Sequence, residues 1–561
     1  MNLLLFTVVC FCLLLLGYFL YGTFLSKLLR LDNKTITPAN KFKDNIDFVP
    51  TNKFYLLGQH LSAIAAAGPI IGPILAGMWF GWAPAVLWII LGGIFIGGTH
   101  DMLTIAASIR HKGMSIAEVI KENMTKRAFV FFLLFLWFSL IYIIIAFTDI
   151  TASTFVEAAH GPMVASSSMM YLGLAVIMGV TLRKVNLSLL VSSLIFLPCV
   201  FLCISLGTIF PLKLPSLFGL DLRVSWNIIL LFYCFFASII PVWLLLQPRG
   251  YLGGFFLALT AGASFIGLVV GNFTQHFTVQ YPAYTNWFNP QGLPLMPLLF
   301  TTIACGACSG FHAMVGSGTT SKQVSHETDV KLIGYGGMLL ESFVAIIALG
   351  TLLLLTTGQS QQLKDPNQIY ANGIATFLNC LGVNRELALN FALLAFATFV
   401  YDTLDVATRL GRYIFQELTG KKFNIHLATA ATLVLPISFV LFPALIASKT
   451  PAAAQVSAVP TWKIFWTIFG SSNQLLASLV LLSLSVWLFK NKINYAITLL
   501  PSVFMMTISV LSLYWIVKPW AIKISVSGHF SFDPIVLTSI VLLLLAILLV
   551  IEGIKIFFKN K

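Results

Sequence analysis

The chain has 561 residues, of which 58% are hydrophobic and 9% are charged, and its mean hydropathy is +0.93. Because soluble domains carry about 25% charged residues, this composition excludes an ordinary soluble protein and indicates a polytopic membrane protein. The net charge of +14 does not indicate nucleic-acid binding, since the basic residues are scattered among apolar stretches. The eight cysteines lie in or beside those stretches, so no disulfide framework is predicted.

About fifteen apolar stretches are long enough to cross a bilayer, which predicts an all-α fold. If the N-terminus is outside, about 25 of the 33 Lys and Arg residues fall on the inner side and none lies at the centre of a span. The positive-inside rule therefore predicts an external N-terminus and a cytoplasmic C-terminus.

The stretch at residues 54–79 is interrupted by Gly68-Pro69 and Gly72-Pro73. Each proline removes a backbone donor and clashes with the preceding turn, so a helix break is predicted here. At membrane depth such a break is tolerated where protein or a water-filled cavity satisfies the backbone. We therefore expect a discontinuous helix at a transporter's substrate site, with a Pro-kinked packing helix as the alternative.

A second interrupted span is predicted at residues 225–246, which contain Pro241. It follows the first by five spans, and because five is odd, a second unit is inverted relative to the first. This pattern predicts a five-plus-five inverted-repeat core with repeats at 54–209 and 225–418. Residues 1–53 then form an N-terminal span and a cytoplasmic loop, and residues 427–561 form peripheral spans.

Half-helix N-termini suit a substrate carboxylate, because they expose unpaired N–H groups and the positive end of the helix dipole. We expect such N-termini near Gly72 and after Pro241.

Ionisable groups inside spans are costly and are therefore candidate coupling sites. His60, His312 or Glu341 is predicted to carry a proton, and Asp402 is a further coupling candidate. For Asp101 and Asp405, structural pairing is the alternative.

In this alternative Asp405 pairs with Arg409, which follows it by four residues and so lies on the same helical face. Sodium coupling is the alternative mechanism, with ligands from backbone carbonyls near Ala66 and the hydroxyls of Ser317, Thr319 and Thr320.

The span at residues 297–316 places Cys305, Cys308 and His312 on one face of a continuous helix. A zinc site needs a further ligand, so packing by small residues is favoured and no metal is predicted. The alternative to a transporter is an enzyme of another class, an intramembrane metal or redox enzyme that uses these three residues. No catalytic residue is predicted.

Four segments resemble the carbon starvation protein CstA family over nearly the whole chain from about residue 50. They are residues 60–73 (HLSAIAAAGPIIGP), 304–323 (beginning ACGACSGFH and ending GTTSKQ), 403–412 (TLDVATRLGR) and 469–477 (FGSSNQLLA). The resemblance implies proton-driven uptake of peptides or pyruvate across the bacterial inner membrane, and a fold like that of amino acid–cation symporters. It also implies a substrate site where Gly68, Pro69, Gly72 and Pro73 face Ser309 and His312.

We therefore expect a secondary transporter, not an enzyme, that imports a small carboxylate or peptide by proton symport in response to carbon starvation. It would use a proton or sodium gradient and no cofactor. Its expected partners are the solute and the lipid bilayer, without nucleic acid. The sequence leaves open pyruvate or peptide, proton or sodium, the oligomeric state and the role of the peripheral spans.

Overall fold

A computed structural model describes the chain except for residues 45–47, 66, 124, 186, 242, 364, 421, 450–460, 528–532 and 560–561. The described part is helical, and its extended pairing is limited to three isolated bridges. The α-helices are α1 Leu3–Leu28, α2 Pro38–Lys41, α3 Lys53–Ile64, α4 Gly68–Phe80, α5 Trp82–Leu91, α6 Gly98–Arg110, α7 Ile116–Asn123, α8 Lys126–Phe155, α9 Gly161–Lys184, α10 Leu189–Ile209, α11 Leu222–Ile239, α12 Leu246–Thr274, α13 Leu295–Thr302, α14 Gly310–Gly318, α15 Gly337–Leu353, α16 Thr357–Leu363, α17 Pro366–Asn379, α18 Arg385–Leu418, α19 Ile425–Lys449, α20 Thr461–Lys490, α21 Ala496–Ser527 and α22 Pro534–Lys559.

Within the described residues, 12 helices are long and apolar enough to cross a membrane, and the bent pair α3–α4 raises this number to 13. The prediction of an all-α, multi-pass membrane protein is thereby confirmed. The predicted number of about fifteen spans is not confirmed. Residues 297–316, for example, are divided between two short helices, α13 and α14, with non-helical residues between them.

The described chain divides into two compact units. Unit 1 comprises Met1–Ser139, Thr278–Gln362 and Thr467–Lys561, and unit 2 comprises Leu140–Phe277 and Leu363–Trp466. These units group residues by contact and not by internal symmetry. The repeats at 54–209 and 225–418 and the flanking segments therefore stay predictions.

In unit 1 the first broken span is present, but its break lies before the prolines. α3 ends at Ile64 and α4 begins at Gly68, with their axes bent by 50°. Pro69 occupies the first turn of α4, where a missing N–H leaves no intrahelical bond unmade, and Pro73 lies inside the helix. The expected start of the second half near Gly72 is therefore wrong. Ala66, the proposed sodium ligand, lies outside the described residues.

In unit 2, Pro241 marks the end of a helix and not a break within one. α11 ends at Ile239, and residues 243–245 form a turn that leads directly into α12. The C-terminal carbonyls of α11 accept three hydrogen bonds of 2.7 Å from Arg409 and Arg412, so the helix end is satisfied inside the protein. The half-helix expected after Pro241 is therefore absent from the described part of this segment.

A second interruption lies in unit 1, between α13 and α14, where residues 303–309 are non-helical and contain no proline. Gly310, the first residue of α14, lies against the backbone of α20. A Cβ atom at this position would stand 2.5 Å from the Ala477 nitrogen and 2.6 Å from the Asn473 carbonyl oxygen. Only glycine permits so close an approach of two backbones. The small residues of this segment thus serve packing against another helix.

Two π-helical segments, Gly92–Gly97 and Lys331–Gly336, directly precede α6 and α15. Tyr335 donates a hydrogen bond of 3.0 Å to the Ile94 carbonyl, so the two segments are tied together. Single π turns inside helices frequently mark functional sites. Here they fix the positions of Asp101 in α6 and Glu341 in α15.

Candidate functional site

The two interruptions of unit 1 meet. A Cβ atom at Gly68, the first residue of α4, would collide with the side chain of Cys305 in the 303–309 linker. The helix starts differ in how their N–H groups are satisfied. α4 has no side-chain cap at Ala67. In α14 the Phe311 N–H donates to Asn473 Oδ1 at 3.0 Å. The start of α4 is therefore the uncapped positive helix end at this junction.

Directly after the capped start of α14, His312 lies between two carboxylates. Its Nδ1 is 2.7 Å from Asp101 Oδ2, and its Nε2 is 3.1 Å from Glu341 Oε2. His100 Nδ1 adds a contact of 2.7 Å to the other oxygen of Asp101. The side chains of His312, Asp101 and Glu341 are at most 1% exposed. We call these three residues the His312 cluster.

The His312 cluster can hold a variable number of protons. With His312 protonated and both carboxylates ionised, it carries one net negative charge. Neither oxygen of Glu341 makes a hydrogen bond in the described structure; Oε2 has the ion-pair contact with His312, whereas Oε1 has neither kind of contact there. Because an unpaired buried carboxylate oxygen is costly, protonation of this atom relieves the imbalance.

His60, in α3, is 2% exposed and is held by Thr320, whose Oγ1 lies 2.8 Å from His60 Nδ1. The other predicted hydroxyls bond within α14: Ser317 donates to the Ala313 carbonyl at 2.6 Å and Thr319 to the Val315 carbonyl at 2.9 Å. Unit 1 therefore contains His60, His312, Glu341, Ser317, Thr319 and Thr320, but it joins only two pairs of them directly, His312 with Glu341 and His60 with Thr320.

Ser309, a predicted substrate residue, lies next to α20. Its hydroxyl accepts a hydrogen bond of 3.0 Å from the Asn473 amide, which also lies 3.5 Å from the Cys305 sulfur. Asn473 thus holds both the 303–309 linker and the start of α14.

Asp402 and Pro241 lie in unit 2 and do not share the His312 cluster's unit. Asp402 Oδ1 is 3.0 Å from Arg249 Nε, and Asp405 pairs with Nη1 of the same guanidinium. Arg249 is fully buried in the first turn of α12. The alternative pairing of Asp405 with Arg409 is replaced by this contact, because Arg409 is engaged with the end of α11.

The expected one-face arrangement of Cys305, Cys308 and His312 is wrong, because both cysteines lie in the non-helical linker. His312 directs its two ring nitrogens at carboxylates. Across the residues that the structure describes, no group of three or more His, Cys, Asp and Glu side chains is arranged to hold a metal ion.

The sequence did not identify three residues that shape these sites: Asp101 as the partner of His312, Arg249 as the partner of two aspartates, and Asn473 as a helix cap. Asp101 had one signal, an acidic residue inside an apolar span. Asn473 had another, an amide in the polar FGSSNQ run. Arg249 had none, since its position between two spans is typical of a loop.

Discontinuous membrane helices with ionisable groups at the break are the architecture of secondary transporters. The chain is a multi-pass membrane protein with interrupted helices, the architecture that such transporters use.

The chain belongs to the carbon starvation protein CstA family, whose model matches residues 2–370 and 359–512.

Relatives with assigned names are transporters, not enzymes. The peptide transporter CstA of Campylobacter jejuni is 32% identical over 573 residues, which is 88% of this chain and 77% of the relative. The pyruvate/proton symporter BtsT of Escherichia coli is 30% identical over 582 residues, 88% of this chain and 78% of the relative. The peptide transporter CstA of Bacillus subtilis is 28% identical over 610 residues, which is 99% of this chain and 97% of the relative.

Solved structures with a similar course of the chain are also transporters. MhsT in complex with L-phenylalanine aligns with a TM-score of 0.48 at 11% identity, over 82% of this chain and 99% of that one. A manganese transporter of Eremococcus coleocola, in complex with an aromatic bis-isothiourea substituted compound, aligns with a TM-score of 0.44 at 12% identity, over 92% and 98%.

Proposed function

We propose that the chain imports pyruvate or short peptides across the bacterial inner membrane by proton symport, as a response to carbon starvation. Its N-terminus lies outside and its C-terminus in the cytoplasm. Relatives named as peptide transporters and as a pyruvate/proton symporter support this class of solute. The observation that carries the proposal is the buried His312 cluster directly after an interrupted membrane helix.

Glu341 Oε1 takes up the proton in this mechanism. A neutral Glu341 attracts His312 less, so the hold on the first turn of α14 weakens when the proton binds. Because α14 follows the linker that packs on Gly68, proton binding alters the junction of the two interrupted helices. Coupling then runs through a contiguous set of contacts within unit 1.

The substrate carboxylate binds at the uncapped start of α4. A helix N-terminus carries roughly half a positive charge and stabilises an anion by about 0.3–1 kcal/mol, or up to about 2 kcal/mol when partly buried. The solute and the lipid bilayer are the partners, the ion gradient is the energy source, and no cofactor or nucleic acid takes part. A five-plus-five inverted repeat, with repeats at 54–209 and 225–418, forms the core of the transporter.

Uptake of labelled pyruvate and labelled dipeptides into proteoliposomes tests the proposal. A one-proton symport supports about tenfold accumulation per pH unit of imposed gradient, since about 1.4 kcal/mol is a factor of ten. We expect Glu341→Gln to abolish this accumulation while solute exchange persists.

The matched control is Glu552→Gln in α22, because Glu552 is also poorly exposed but pairs with Thr125 and Lys555 away from α14. Full accumulation in Glu341→Gln moves the proton site elsewhere. Accumulation that needs a sodium gradient instead supports the sodium alternative, and absence of uptake for both solutes contradicts the substrate assignment.

A further inference from the structure

We propose that Arg249, Asp402 and Asp405 of unit 2 form a proton-binding site that holds one proton per chain. We call these residues the Arg249 triad. The site is distinct from the His312 cluster, which belongs to unit 1. The inference concerns proton occupancy and not the transported solute, so it stands or falls independently of the proposed function.

The triad is buried, and its charged groups lie close together. The side chains of Arg249, Asp402 and Asp405 are 0%, 5% and 1% exposed. Arg249 Nε lies 3.0 Å from Asp402 Oδ1, and Arg249 Nη1 pairs with Asp405 Oδ2. Tyr233 accepts a hydrogen bond of 2.6 Å from Nη1 and donates one of 2.8 Å to the same Asp405 oxygen.

The triad contains two carboxylates and one guanidinium. With both carboxylates ionised, the three side chains carry one net negative charge in the protein interior, where charges are paired or neutralised. One bound proton makes the triad neutral. A proton is also the ligand that fits a closely packed site of this kind, since it needs no cavity.

The described groups around the triad include one further cation, Arg409, whose hydrogen bonds go to carbonyls outside the triad. The titratable groups that face the triad from the helices packed around it are the hydroxyls of Tyr171, Tyr233 and Tyr401, the thiol of Cys234 and the guanidinium of Arg409. Arg409 donates to two carbonyls at the end of α11, which is the negative end of that helix dipole. Its charge is therefore directed at the helix end.

One atom is suited to take the proton. Asp405 Oδ1 is buried without a hydrogen-bond partner among the described residues, whereas Oδ2 is shared by Arg249 and Tyr233. Uptake forms an O–H bond at Oδ1 with a proton from water, and release returns that proton to water. Arg249 stays charged in both states and pairs with Asp402 throughout.

Infrared spectroscopy of the purified full chain tests this site without substrate, because a protonated carboxyl group has its own carbonyl stretch. The measurement is a pH titration of that band in a Glu341→Gln background, which removes the carboxyl proposed to take up the proton in the His312 cluster. We expect one titrating buried carboxyl per chain in this background. Asp405→Asn and Asp402→Asn should each abolish it, because each leaves one carboxylate opposite one guanidinium.

Asp149→Asn is the matched control. Asp149 is a buried aspartate of the same unit, but it faces the single Arg223 at 2.5 and 2.8 Å, with Asn227 and the Trp462 N–H on its oxygens as well. This variant should keep the triad's titration. Loss of the band in both triad variants, with the control unchanged, supports the site. The proposed site is overturned if the band persists in either triad variant and thermal unfolding shows that this variant is folded. Loss of the band in the control also overturns it.

Discussion

Asn473→Ala tests whether α20 holds the start of α14 and, with it, the position of His312. In the native protein the Asn473 side chain accepts the Phe311 N–H at 3.0 Å and donates to the Ser309 hydroxyl at 3.0 Å. Asn473 is 2% exposed, so water does not replace these bonds readily. Alanine removes both bonds and leaves a buried N–H group unpaired.

The cost follows from these contacts. The Phe311 N–H loses its cap and becomes an unsatisfied buried polar group, which costs about 1–3 kcal/mol. If the first turn of α14 opens locally, a cost of this size raises the population of the open form by roughly 5- to 140-fold, because about 1.4 kcal/mol is a factor of ten.

Thermal unfolding in detergent and proteoliposome uptake measure the two consequences. We expect Asn473→Ala to lower the unfolding temperature and to weaken uptake. Asn473→Asp keeps the acceptor for the Phe311 N–H and should lower the unfolding temperature less. The neighbouring Ser472→Ala is the control, since Ser472 is equally buried and donates only to the Phe469 carbonyl of its own helix. Native stability and uptake in Asn473→Ala would refute the role assigned to α20.

Three further outcomes are expected. Gly68→Ala should destabilise the protein, because the added Cβ collides with Cys305. Adding Cys305→Gly should restore part of the lost thermal stability and uptake, and no recovery would contradict the packing argument. Arg409→Met should lower the unfolding temperature by removing two charge-assisted hydrogen bonds to the end of α11, a loss of about 3 kcal/mol, whereas a native value would show that the helix end needs no partner. A cysteine at Gln275 should react with an impermeant reagent from outside intact cells and one at Lys112 should not; the reverse pattern would invert the orientation.

The sequence predicted the features that depend on composition and local backbone chemistry. Apolar stretches predicted the membrane helices, and the Gly-Pro pairs predicted that the span containing Gly68 is discontinuous. The local rules were less reliable on position, since a proline is tolerated in the first turn of a helix or just beyond its end as well as at a break. For this reason Pro69 lies inside α4, and Pro241 follows the end of α11.

Partner choice is the part that the sequence did not predict, because it depends on contacts between helices far apart in the chain. Asp405 has a suitable cation four residues away, yet Arg249 pairs with it across 156 positions. His312 likewise has two cysteines nearby, but it contacts Asp101, 211 positions away, and Glu341. Burial favours the partner that satisfies the most charges and hydrogen bonds, and proximity along the chain does not decide this.

The same contacts assign a structural role to a helix beyond the predicted repeats. α20 lies in the segment expected to hold peripheral spans, yet it supplies Asn473 and approaches α13 closely at Gly470, where a Cβ atom would collide with the Thr301 carbonyl. The helices on both sides of the 303–309 linker are therefore packed against α20. The family match extends through α20 and ends inside α21, at residue 512. The matched region thus includes the helix on which the geometry around His312 depends, and a variant that loosens α20 should affect the candidate site without changing any of its ionisable groups.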